Sequence, residues 1–389
     1  MRLLLLVAAL LGGLMVAPAI AGDKEVASIT ALFAPGPVDT TLFSAEFLKA
    51  VPATKISAAV APLKATIGPV LGVTAKGGQS YLVETATYEL PVDISVDDSG
   101  KIAGLLLHPP VSKTGSIDDL FKQVSGVAPQ SAYLVTKNGT TLYSSNPDLA
   151  LAVGSAFKLG ILKALKDDID AGTRKWSDVV TLEPDDISFP SGVLQGWPIG
   201  SPFTLHTLAG MMISISDNTA ADTLLKTVGR DRVEAALGIA PVITTRELFT
   251  LKATPDLKAK YQDGDLAAKR AVLEAIDKLP LPDITKVGTP HDDGVEYYLS
   301  PAKLCSLIDE VGDLDVTQIN PGVASKADWT KVSFKGGSEI GVLSFTTEVT
   351  GKDGSVYCVS MIWNGPAALD ETAAGTIYAG VLGKLAKGS

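Results

Sequence analysis

The spacing of apolar positions changes several times along this chain, and each change predicts an element. Residues 3–16 form a nearly unbroken apolar run. Helical spacing then predicts helices at about 40–51 and 55–67, each touched by a proline (Pro52, Pro62). Period-two patterns predict strands at about 80–88, 91–96 and 101–107, and Asp97-Asp98-Ser99-Gly100 between the last two is tight-turn chemistry. Pro109 to Ser116 carries neither period and reads as a linker, stiff at its start and polar at its end. This gives a small α+β unit at 23–108, a linker at 109–116 and a second domain at 117–389.

The second domain opens with two alternating segments, Ala132–Lys137 and Thr140–Tyr143, joined by Asn138-Gly139. Asn-Gly is a strong hairpin signal because both residues tolerate positive φ; Asn138-Gly-Thr140 is also a glycosylation sequon by pattern. From Ser155 to Ala171 the chain predicts a helix apolar on most sides, closed by Gly172, which implies burial in a core. Helices are predicted at about 205–215, 219–228 and 301–312, with a charged, helix-compatible insertion at 255–285. Strands are predicted at about 331–335, 340–349 and 355–363, and a closing helix at 368–386. The order implies an α+β fold, one antiparallel sheet packed against helices.

At 389 residues the chain is long enough for two cores. Arg2, the apolar Leu3–Val16 run and Ala19-Ile20-Ala21 match a secretory signal at 1–22, so export to the periplasm or medium is expected; membrane attachment would follow only if the signal stays uncleaved. Removing Arg2 leaves 32 basic against 43 acidic residues, a net charge of −11. With no basic stripe, nucleic acid is not an expected partner. Cys305 and Cys358 are the only cysteines. Export permits a disulfide between them, and two buried thiols, one on a helix and one on a strand, are the alternative. The three histidines lie far apart, with no metal-ligand spacing and no Gly-x-Ser-x-Gly elbow, so neither a zinc site nor a histidine triad is expected. His291-Asp292-Asp293 reads as a solvated loop rather than a cation site. No cofactor is implied, and a small-molecule substrate is the expected partner.

The candidate chemistry begins at Ser155-Ala-Phe-Lys158. Three residues apart on a helix, the two side chains share a face. A buried lysine loses its proton more easily and can deprotonate a serine hydroxyl. Ser300-Pro-Ala-Lys303 has the same spacing, so the pattern alone is weak. Ser216-Asp217-Asn218 follows 61 residues after Ser155, between two predicted helices, where Asp217 can cap the second. Lys335-Gly336-Gly337-Ser338 lies 180 residues after Ser155 at a strand end, where glycine permits close approach.

In this order, the three motifs resemble those of class A β-lactamases and penicillin-binding proteins over roughly residues 130–385. Asp217-Asn-Thr-Ala-Ala221 continues the likeness. Residues 23–108 resemble the small steroid-isomerase-like (cystatin-like) domain before such a unit in the esterase-like protein of clavulanic acid gene clusters. The resemblance implies that Ser155 is the nucleophile, Lys158 its base and Ser216 a proton relay. It implies that Asn218, Lys335, Gly337 and Ser338 bind substrate, with the N–H groups of Ser155 and Ser338 forming an oxyanion hole. The expected function is an exported serine hydrolase acting on a β-lactam or an ester. The alternative is a penicillin-recognising sensor, or a D-Ala-D-Ala peptidase, acylated without efficient turnover.

The chain departs from that family in three places. Gly336 removes a hydroxyl that helps bind a substrate carboxylate, and Glu339 nearby could repel one. The literal Lys113-Thr114-Gly115 precedes the nucleophile and is rejected as the third motif. Glu247 is the only acid in the stretch expected to hold a deacylation base, but Thr244-x-x-Glu247 is also a capping box. No catalytic acid–base pair is marked in 23–108.

Overall fold

The structure is a computed structural model that describes residues 22–287, 291 and 294–388. Residues 1–21 of the expected signal segment and Asp292-Asp293 lie outside the described residues. The chain divides into two compact units, one running to Gln123 and resuming at Glu371, the other Val124–Asp370.

In the first unit, α1 (Asp23–Leu32), α2 (Ala45–Ala50) and α3 (Ala53–Ile67) precede an antiparallel sheet. Its strands β1 (Val70–Gly77), β2 (Ser80–Thr85), β3 (Tyr88–Val96) and β4 (Ile102–Leu107) pair in chain order. Alternation buries Tyr81, Val83, Leu90, Val92, Ile94, Leu105 and Leu107 against Ile29, Phe47, Ile56 and Val60. The first predicted helix is a 3-10 turn, Thr40–Leu42, followed by α2, which Ser44 caps by accepting from the Phe47 N–H at 3.1 Å. Pro62 sits inside α3 without ending it. The expected linker carries β5 (Val111–Ser112), paired with Glu89 and Tyr88 of β3. After it come α4 (Ile117–Val124) and, within the same unit, the last helix of the chain, α14 (Glu371–Ala386).

Register also builds a polar chain in 23–108 that the sequence did not mark. Ser80 and Asp93 face each other across β2 and β3; the Ser80 hydroxyl donates to Asp93 Oδ1 at 2.5 Å, and His108 Nε2 lies 2.9 Å from Oδ2. Burial pushes the Asp93 carboxyl up, but these hydrogen bonds outweigh it and hold it below its ordinary value. The serine is bonded to the carboxylate and not to the imidazole, so this is no nucleophile–base pair.

The second unit has a five-stranded antiparallel sheet in the order β12-β13-β14-β6-β7. Here β6 is Gln130–Lys137, β7 Thr140–Ser145, β12 Lys331–Glu339, β13 Val342–Thr350 and β14 Val356–Asn364. Asn138 and Gly139 take positive φ at the β6–β7 turn, as Asn-Gly predicts. Two small ladders join β8 (Leu151–Ala152) to β11 (Tyr298–Leu299), and β9 (Val179–Thr181) to β10 (Pro202–Thr204). The helices are α5 (Lys158–Asp170), α6 (Leu205–Ser214), α7 (Asn218–Val228), α8 (Arg230–Leu237), α9 (Thr245–Ala253), α10 (Pro255–Asp263), α11 (Leu266–Ile276), α12 (Pro301–Val311) and α13 (Asp315–Gln318). Helix α5 is buried on most sides, through Leu159, Ile161, Leu162 and Leu165. The charged insertion forms α10 and α11, whose Tyr261, Leu273 and Ile276 join the core. β12 runs four residues past its expected end because Gly336 and Gly337 stay extended and pair with Phe345 and Ser344. Cys305 on α12 and Cys358 on β14 form a disulfide, which excludes two free thiols. Among the described residues no helix is long and apolar enough to cross a membrane.

Candidate active site

Ser155 lies in a 3-10 turn, Gly154–Phe157, and not at the start of an α-helix; α5 begins at Lys158. The Ala156 N–H closes the turn on the Val153 carbonyl at 3.2 Å, and the Val153 N–H donates to the Tyr297 carbonyl at 3.0 Å. In a 3-10 turn residues three apart eclipse, and Lys158 Nζ donates to Ser155 Oγ at 3.1 Å. Phe157 stacks on Tyr297 with ring centroids 3.6 Å apart, fixing the far side of the turn.

Ser216-Asp217-Asn218 joins α6 to α7. Ser216 has φ of +59°, a strained conformation for a residue with a Cβ. Asp217 is fully buried and holds the strain: Oδ1 caps α7 on the Ala220 N–H at 2.9 Å, and Oδ2 accepts the N–H groups of Val193 and Leu194 at 2.6 and 2.9 Å. Lys158 Nζ donates to Asn218 Oδ1 at 2.6 Å, the Ser216 carbonyl at 2.7 Å and Ser216 Oγ at 3.2 Å. The segment around 189–194 straps this loop, since Ser191 Oγ donates to the Ser216 carbonyl and Asn218 Nδ2 to the Phe189 carbonyl. Sequence reasoning missed the strap, because it works mainly through backbone groups that any residue carries.

Strand β12 completes the cluster. Lys335 Nζ donates to Ser216 Oγ at 3.0 Å and to the Gly336 carbonyl at 2.6 Å. A Cβ on Gly337 would lie 2.1 Å from the Val153 carbonyl oxygen and 2.5 Å from the Ser155 nitrogen. Only glycine lets β12 approach the Ser155 turn this closely, which brings Ser338 beside it. Gly337→Ala is expected to lower acyl transfer about 100-fold or more, the loss typical of a displaced oxyanion donor. Single-turnover kinetics beside a circular dichroism spectrum would check this.

Burial pushes Lys158 down to about 7, against the opposing pull of the Asp222 and Asp217 carboxylates. Burial, and then the charge of Lys158, holds Lys335 well below its ordinary value. Near neutrality a substantial fraction of the Lys158 amine beside the Ser155 hydroxyl is therefore unprotonated, the requirement for a general base. The motifs Ser155-x-x-Lys158, Ser216-Asp-Asn218 and Lys335-Gly-Gly337 converge as their order suggests.

The decoys do not join them. Ser300 accepts from the Lys303 N–H as the cap of α12, and Lys113 Nζ donates to the Thr85 carbonyl in the first unit. Glu247 also stands apart from Ser155, Lys158 and Ser216 in its hydrogen bonding. Its carboxylate takes both terminal nitrogens of Arg230, at 2.7 and 3.1 Å, and the Thr244 N–H at 2.6 Å, while Thr244 Oγ1 accepts the Glu247 N–H. Glu339 does not face the site as a free charge, since Lys252 Nζ lies 2.5 Å from Oε2 and 2.6 Å from Glu296 Oε1. Among the described residues no group of three or more His, Cys, Asp or Glu could hold a metal ion.

Residues 114–277 match a model described as the Beta-lactamase enzyme family. A β-lactamase from Sphaerobacter thermophilus is 18% identical and superposes with a TM-score of 0.51, covering 70% of this chain and 98% of its own. The fold is β-lactamase-like. Further similar structures are PBP-A, 17% identical (70% of this chain, 95% of that one, TM-score 0.47), and a β-lactamase from Chitinophaga pinensis, 14% identical (70% and 98%, TM-score 0.46). No curated protein is matched.

Proposed function

We propose that this β-lactamase-like protein is an exported serine hydrolase that passes through an acyl-enzyme at Ser155. One observation carries the reading: a fully buried lysine amine, lowered to about 7, hydrogen-bonded to the hydroxyls of both Ser155 and Ser216. Ser155 Oγ attacks the substrate carbonyl carbon and its proton passes to Lys158 Nζ. The N–H groups of Ser155 and Ser338 receive the oxyanion. The proton moves from Lys158 through Ser216 to the departing group as the carbonyl–leaving-group bond breaks. Water then cleaves the acyl ester and restores Ser155.

Uncharged esters suit the site better than carboxylate-bearing β-lactams. Lys335 is buried, engaged by Ser216 and Gly336, and disfavoured as a cation, while Gly336 offers no hydroxyl. A second reading, acylation with slow release, is favoured by the placement of Glu247 against Arg230. Among the described residues no carboxylate is hydrogen-bonded to Ser155. The Arg2, Leu3–Val16 and Ala19-Ile20-Ala21 pattern supports export, and the Cys305–Cys358 disulfide is compatible with it. The likeness of the first unit to a steroid-isomerase-like domain rests on domain order and pattern.

Intact mass spectra after mixing with p-nitrophenyl acetate, nitrocefin and a fluorescent penicillin test the reading. The expected result is an adduct on Ser155, with kcat/KM for the ester rising as pH increases through about 7 and Lys158 loses its proton. Ester turnover without a Ser155 adduct would overturn it. A penicillin adduct that persists without turnover would favour the second reading.

A further inference from the structure

Asp222 is a fully buried carboxylate that the mechanism above does not use. It lies on α7 one turn beyond Asn218, so both side chains share a face. Oδ1 accepts the Thr245 N–H at 2.7 Å; Oδ2 accepts the Thr245 hydroxyl and the Arg246 N–H, both at 2.9 Å. Thr245 Oγ1 lies 3.5 Å from the Asn218 carbonyl and 2.7 Å from Ser188 Oγ, and Asn218 Oδ1 accepts from Lys158. Asp222 thus sits behind Asn218, joined to the first turn of α9. Among the described residues no lysine, arginine or histidine lies within ion-pair distance of it. A buried carboxylate without an ion-pair partner is costly, and capping α9 alone does not require a negative charge.

We propose that Asp222 is a positioning residue that governs the protonation of Lys158, acting across Asn218 while it anchors the first turn of α9. The inference rests on the reading of Lys158 as the base. While Asp222 is ionised it favours the ammonium form of Lys158, the form created when the lysine takes the Ser155 proton. Lys158 comes from α5, Lys335 from β12 and Asp217 from the start of α7. Glu247 and Arg246 come from α9, Arg230 from α8, Lys226 from the far end of α7, and Asp186 from the 3-10 turn Pro184–Asp186. Tyr297 lies behind Phe157. Burial pushes the Asp222 carboxyl up to about 7, against the hydrogen bonds from Thr245 and Arg246 and with a further push from Glu247. The Asp222 carboxylate in turn pulls Lys158 upward, against burial.

The test is the pH dependence of single-turnover acylation by p-nitrophenyl acetate in Asp222→Asn and in the unaltered protein. Without the carboxylate, only Asp217 still opposes the effect of burial on Lys158. The acidic limb is expected to move about one pH unit lower, and the plateau rate to fall about tenfold because the lysine becomes a weaker base. A folded, acylating variant whose limb does not move would overturn the proposal and leave the reading of Lys158 standing. No acylation of the unaltered protein would overturn both. A second measurement covers a variant that does not fold. Lysine Cε NMR titrations of the unaltered protein and Thr245→Val, which removes one hydrogen bond from ionised Asp222, should show the Lys158 resonance titrating at lower pH in the variant. An unchanged midpoint would overturn the proposal.

Discussion

Alanine at Ser155 is expected to lower acyl transfer about 10⁴- to 10⁶-fold and to abolish the covalent adduct. Ser155 Oγ is hydrogen-bonded to Lys158 Nζ, and the imidazoles of His108 and His206 are engaged by Asp93 and Asp315. Lys158→Ala should cost nearly as much, since an unassisted serine hydroxyl is a poor nucleophile near neutrality. The double substitution should be little worse than either alone, because residues acting as one unit lose their joint contribution at the first removal. Ser155→Ala should keep its fold, since Ser155 is only partly buried and its removed atom faces Lys158. Intact mass spectra and ester kinetics at enzyme excess measure all three variants. Catalysis surviving Ser155→Ala would move the nucleophile elsewhere. Additive losses in the double variant would mean that serine and lysine do not act together.

The order of the three motifs was legible because chain order and element type constrain where each can lie. Two identical Ser-x-x-Lys spacings could be separated on that ground, and the structure gives the physical difference. Ser155 is held in a 3-10 turn by Val153 and Tyr297, whereas Ser300 spends its hydroxyl as a helix cap. The 3-10 turn itself was hidden, because it depends on the Tyr297 carbonyl 144 positions away in sequence. β1 was hidden for a local reason: its residues are mostly half-buried or exposed at a sheet edge, so no alternation is imposed on them. The charge of Asp222 was invisible for a third reason. An aspartate on a helical face usually reads as solvent-exposed, and only packing against α9 buries it. Hydrophobic periodicity records the core, whereas the electrostatics of this site are set by what lies behind it.

Glu247 shows how one sequence pattern can carry two roles, and Arg230→Ala separates them. The glutamate side chain is fully buried, and Arg230 supplies both of its charged hydrogen bonds. Removing the guanidinium leaves that carboxylate with the Thr244 N–H alone, and breaking a buried pair in this way typically costs about 3–5 kcal/mol. Urea denaturation should show this as a lower midpoint with an unchanged slope. Replacing both partners with leucine should recover much of the loss, because no buried charge then remains unpaired. The capping role makes a further demand. Glu247→Gln keeps an oxygen to accept the Thr244 N–H, so it should be milder than Arg230→Ala and should leave the lifetime of the acyl adduct per folded molecule unchanged. An adduct at least tenfold longer-lived in a stable Glu247→Gln protein would instead make this glutamate the base that releases the acyl group. The geometry argues against that result, because the carboxylate is already engaged by Arg230 and its own helix start, and has no hydrogen bond toward the serine.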